Sequence, residues 1–101
     1  MNTHKISVTV DKSGIKVAPE TLVMTSLDEV HWACGTADRF SIEFEGKTPF
    51  AMATLGHDTA NARQRPKYHG RFKYTVVLEA DPSVRLDPDI IVEPPPTHPG
   101  P

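Results

Sequence analysis

Four side chains could bring a thiolate or an imidazole to a metal ion or to nucleophilic chemistry: His31, Cys34, His57 and His69. Cys34 is the sole cysteine, so the chain can build no internal disulfide, zinc knuckle or CxxC redox pair. His31 stands close enough in sequence to activate Cys34 or to share a ligand site with it. The plainer reading makes Cys34 a small residue of the loop "WACGTADR". His57 and His69 flank "DTANARQRPKY" and, with Asp58, could hold zinc or copper if that segment folds back. Each also adjoins a glycine, as residues of surface turns do. His4 and His98 lie near the ends and read as solvated.

Hydrolysis would need a Ser or Cys nucleophile on a glycine elbow, and acid–base work would need paired carboxylates in an apolar setting. Neither pattern is present. Asp81, Asp87, Asp89 and Glu93 sit in or beside turns, where the Asp-Pro pairs at 81–82 and 87–88 have a structural use: proline fixes a dihedral and the carboxylate caps local amides. The spacing of a calcium loop is missing.

The elements that would position these groups come from a chain of 101 residues, 38% hydrophobic and 24% charged, which suits one small domain. Eleven basic and 13 acidic residues are scattered and leave a net charge of −2, which argues against nucleic acid as a partner. The basic stretch 63–73, "RQRPKYHGRFK", has no glycine-rich cradle for phosphate and reads as a solvated loop. No apolar run is long enough for a membrane span. The opening "MNTHKISVTVDKSG" alternates polar and apolar residues without the apolar core of a signal peptide, so the chain reads as cytoplasmic.

Alternation with a period of two marks the strands. Ile6, Val8 and Val10 form the first, "DKSG" turns the chain, and Ile15 with Val17 continues it. Leu22 with Met24 and Val30 with Trp32 follow on either side of an acidic turn. "RFSIEFEG" sets Phe40, Ile42 and Phe44 against Ser41, Glu43 and Glu45, and "RFKYTVVLE" repeats the pattern with Phe72, Tyr74, Val76 and Leu78. "DIIVE" supplies a last strand around residues 90–92. Between them, residues 46–70 lack alternation, so this insertion should be helical or irregular, pack through Phe50, Met52 and Leu55, and end any helix at Pro66. The fold class is all-β: two antiparallel sheets in a Greek-key β-sandwich spanning 1–93, with a Pro-rich disordered tail at 94–101. A closed barrel satisfies the same periodicity.

With "GIKVAPETLVM", "EVHWACGTADRFSIEF" and "YTVVLEADPSVRLDP" in these places, residues 3–93 resemble a small cupredoxin of the plastocyanin and azurin type. The resemblance implies that a ligand histidine would fall at or beside Phe40 and the ligand cysteine at Leu78, four residues after Tyr74. The loop "EADPSVRLDP" offers no Cys, His or Met where the family places its remaining ligands. A blue copper site needs two imidazoles and a thiolate, so the resemblance implies the fold without type 1 copper, electron transfer or any cofactor.

What is then expected is a non-enzymatic binding module for a protein partner, with Phe40 and Leu78 as a dry plug. Its interaction residues would be Cys34, Asp38, Arg39 and Phe40, then Asp81 and Arg85 in the replacement loop, and the exposed aromatic Tyr68. The alternative is a copper- or zinc-binding protein using His31, Cys34, His57 and His69. The proline tail could dock in an aromatic groove of a partner or serve no role.

Overall fold

A computed structural model describes residues 2–95. The tail expected from residue 94 therefore lies, from 96 onward, outside the described residues. Among the described residues nine strands and one short helix follow in the order β1 (Thr3–Asp11), β2 (Gly14–Ala18), β3 (Thr21–Thr25), β4 (Glu29–Cys34), β5 (Phe40–Phe44), β6 (Thr54–Leu55), α1 (His57–Asn61), β7 (Gly70–Leu78), β8 (Arg85–Leu86) and β9 (Asp89–Glu93). One sheet runs β2-β1-β4, the other β3-β9-β7-β5-β6 with β8 added to β7. The chain is an all-β sandwich, as its periodicity predicts.

One feature departs from two purely antiparallel sheets: β1 pairs with β4, and β3 with β9, in parallel. Only a direct hairpin forces an antiparallel pair. Here β3 lies in the opposite sheet, so β4 reaches the open side of β1 by a crossover and is free to run with it.

Alternation becomes burial in a direct way. On β5, Phe40, Ile42 and Phe44 are buried while Ser41 and Glu43 are only half-buried. From the facing sheet come Ile6, Val8, Ile15, Val17, Val30 and Trp32. Each such side chain contributes about 1.5–3 kcal/mol when fully removed from water. At the centre, the Trp32 indole N–H donates to the Tyr74 hydroxyl at 3.2 Å, with the two rings edge to face at 5.5 Å. Phe50 closes on both Trp32 and Phe44.

The insertion keeps some expectations and corrects others. Phe50 and Leu55 are buried, but Met52 is 42% exposed: the Thr48 hydroxyl donates to the Met52 carbonyl at 2.9 Å, closing a turn in which Phe50 takes the inward place and Met52 is left outside. Helix α1 stops at Asn61, before Pro66, with Ala62 already extended. Gln64 then pairs both ways with Val30, N···O 2.8 and 2.9 Å, which draws this stretch onto the edge of β4.

Among the described residues two carboxylates enter the interior, those of Asp28 and Asp89. Asp28 accepts from the backbone amides of Asn2 (3.0 Å) and Thr25 (3.1 Å), and its other contact is His4 Nε2 at 2.9 Å. His4 is therefore paired rather than simply solvated. Asp89, expected beside a turn, opens β9 in a buried position, accepting from the Thr21 hydroxyl (2.6 Å) and from Arg71 Nε (2.7 Å). Among the described residues no buried side-chain nitrogen or oxygen lacks a partner.

Candidate functional site

The end of the sandwich that the resemblance singles out is built by two ladders. Antiparallel pairing of β5 with β7 places Phe40 opposite Leu78, and both are buried, at 0% and 8% exposed. Pairing of β5 with β6 sets Ile42 opposite Leu55. Extending that antiparallel register by two residues brings His57, at the start of α1, beside Phe40. The rings meet edge to face at 4.9 Å, and the Phe40 amide donates to His57 Nδ1 at 3.2 Å. An imidazole nitrogen that accepts carries no proton, so the ring hydrogen of a neutral His57 sits on Nε2.

Around this plug the charges are paired. Arg39 Nε donates to Glu79 at 3.0 Å, and its Nη2 lies 3.6 Å from Asp58. The Glu79 amide donates to the Arg39 carbonyl at 2.9 Å. The guanidinium thus joins the start of β5, the end of β7 and the first turn of α1, and Glu79 beside it raises the Arg39 pKa. Both ion pairs are exposed to solvent, so they fix geometry more than they stabilise the fold. The following loop closes on itself: Asp81 accepts from the Ser83 amide at 3.2 Å and hydroxyl at 2.6 Å, bonds that lower its pKa. Arg85 donates from Nε and Nη2 to the Pro82 carbonyl, at 3.2 and 3.0 Å.

The four possible metal ligands do not come together. Cys34 is the last residue of β4 rather than a loop residue, with Sγ 3.2 Å from the Thr36 hydroxyl. Thr36 in turn donates to Asp38. His31 lies an odd number of places from Cys34 and points to the other face of β4, opposite Lys5. His57 and His69 belong to opposite ends: Gly70 is separated from Leu78 by the length of β7, roughly 26 Å at about 3.3 Å per residue. His69 and Tyr68, which is 59% exposed, border a shallow groove with Lys47, Thr48 and Phe72. Tyr68 is therefore distant from Phe40, Arg39 and Asp81. Among the described residues no three His, Cys, Asp or Glu side chains are grouped as a metal ion requires.

The sequence does not announce the partners of the plug. His57 reads as a ligand or turn residue and Asp58 as a third ligand, while Glu79 carries no local signal. Only the β5–β6 and β5–β7 registers reveal them, and registers join residues 17 and 40 positions apart.

No protein-family profile matches this chain, and no curated protein matches it in sequence. Its likeness is to solved structures. A pseudoazurin from Sinorhizobium superposes with a TM-score of 0.62 at 16% identity, covering 94% of this chain and 77% of that one. A variant of amicyanin, solved in its reduced Cu(I) form, superposes with a TM-score of 0.51 at 18% identity, over 87% of this chain and 81% of that one. The fold is that of the cupredoxins, and among the described residues no group of metal ligands is assembled in it. The residues at this end do not fit copper: Phe40 and Leu78 have no donor atom, and the one lone pair of the His57 ring is already used by the Phe40 amide.

Proposed function

We propose that this chain is a copper-free cupredoxin-like scaffold acting as a non-enzymatic binding module for another protein. The single observation that carries the reading is the packing of Phe40 against Leu78 and His57, where a cupredoxin would need an open set of donors. The contact surface is the rim of that plug: loop 35–39 with Asp38 and Arg39, the turn at Asp81, and Asp58 on α1. It presents acidic and basic groups on a rigid hydrogen-bonded frame, the composition of a polar interface rim. Partner recognition then rests on charge placement more than on apolar area.

Titration of the reduced protein with copper(I), copper(II) and zinc, followed by visible absorbance and native mass spectrometry, tests the metal half of this reading. The expected result is no stoichiometric ion. One tightly bound equivalent that vanishes in Cys34→Ala or His57→Ala would overturn it. Cross-linking capture with Arg39→Glu and Asp81→Ala as controls tests the other half: a partner recovered by the parent chain should be lost with Arg39→Glu, and equal recovery by both variants would move the interface elsewhere.

A further inference from the structure

Among the described residues the two sheets leave five edge strands, and four of them are blunted. β6 and β8 have two residues each, β2 carries the exposed Lys16 at its centre, and the open side of β4 is bonded to Gln64. β3, with the sequence TLVMT, has no charge, glycine or proline within it. Among the described residues no strand or bridge lies on its side away from β9. Natural sheets protect such an edge unless it is used.

The backbone directions can be worked out. The Asp89 amide bonds to the Glu20 carbonyl, and the Ser26 amide to the Glu93 carbonyl, each at 3.0 Å. Even-numbered residues of this stretch therefore turn their amides and carbonyls toward β9, and odd-numbered ones turn theirs outward. Thr25 has both outward groups satisfied by Asp28: its amide donates to the carboxylate at 3.1 Å, and its carbonyl accepts from the Asp28 amide at 3.0 Å. The N–H and C=O of Thr21 and Val23 are left on the open edge, and Pro19 offers no N–H beyond them.

We propose that this edge is a self-association surface, on which β3 of a second copy of the chain pairs antiparallel about a two-fold axis at Leu22. Reversing the strand about Leu22 sets Thr21 of one copy against Val23 of the other, twice. Each such pair exchanges both of its N–H···O bonds, so all four outward groups on each copy are satisfied in one isologous contact. The occupant is a second copy because the two free residues are each other's complement in spacing and in donors and acceptors, and because the strand has no charge to repel its twin. The pairing also covers Val23, now 50% exposed, beside a partner threonine. The contact is small, so the dimer is weak and concentration-dependent.

Sedimentation velocity on the full chain from micromolar to millimolar concentration should show monomer passing to dimer, and hydrogen exchange at the Thr21 and Val23 amides should slow over the same range. Val23→Pro removes one donor per copy at a site where the monomer's N–H faces water, so the fold should stand. Val23→Lys sets a charge on the edge. Each should weaken the dissociation constant by roughly tenfold or more. If circular dichroism shows that Val23→Pro does not fold, Val23→Lys decides by the same reading. A chain that stays monomeric, a dimer that Val23→Lys keeps, or a dimer without slower exchange at these two amides would each overturn the proposal.

Discussion

Truncating Phe40 to alanine tests whether the end of the sandwich is a packed plug or an open site. Phe40 is fully buried, faces Leu78 across the β5–β7 ladder and takes the edge of the His57 ring at 4.9 Å. The backbone on both sides is held by ladder bonds, so the hole left by the ring cannot collapse easily. Buried Phe→Ala changes cost about 3–5 kcal/mol. A domain of this size holds roughly 5–15 kcal/mol in all, so Phe40→Ala should lose a large share of its stability. The midpoint should fall by about 12 °C or more, at about 4 °C or more per kcal/mol for a domain near 100 residues. Urea unfolding, fitted with an unchanged m-value, reads the loss directly. Phe40→Leu should lose less, because most of the volume stays, and Tyr68→Ala on the exposed groove should stay within about 0.5 kcal/mol. A loss below about 1 kcal/mol for Phe40→Ala, close to that of Tyr68→Ala, would refute the packed plug and with it the argument against a ligand cage.

The acid limb of stability should be governed by Asp28 and Asp89. The hydrogen bond from His4 is the largest influence holding the Asp28 carboxyl well below its ordinary value of 3.8, against burial, and the Asn2 and Thr25 amides add to it. The Thr21 hydroxyl, then Arg71, lower Asp89 in the same way. The folded chain thus binds fewer protons than the unfolded one, so this stabilisation is complete above pH 3.8 and is lost as pH falls below it toward the folded values. Urea midpoints measured from neutral pH downward should drop most steeply there, and Asp28→Asn should flatten that slope while lowering stability at neutral pH; an unchanged slope would refute the assignment. Tyr74→Phe leaves the buried Trp32 indole N–H without its acceptor and should cost about 1–3 kcal/mol. Because burial pushes the Tyr74 hydroxyl up to about 12, ultraviolet titration should show a tyrosine ionising well above the ordinary phenol value of 10.0.

What could be read in advance was whatever repeats along the chain. Phe40, Ile42 and Phe44 announce a half-buried strand, because side chains at every second place share a face whatever the neighbouring strand is, and the same holds for Phe72, Tyr74 and Val76. What could not be read depends on pairing. Asp28 looks like an ordinary turn acid until β1 brings His4 against it, 24 residues away. Asp89 looks like the second half of an Asp-Pro turn until β3 brings Thr21 to it, 68 residues away. Met52 belongs to an apolar run, yet it stands on the outside of a turn closed by the Thr48 hydroxyl while Phe50 takes the inside. One local signal was available for Asp28: it stands three residues after Thr25, and both its amide and its carboxylate turn back onto that residue, as a capping aspartate does. The candidate site divides along the same line. That Phe40 and Leu78 carry no donor atom is visible in the sequence itself. The commitment of His57 to the Phe40 amide follows only from knowing that Leu55 lies opposite Ile42. A histidine beside an empty cage and a histidine sealing a filled one have the same sequence, and it is the register of β5 with β6 that separates them.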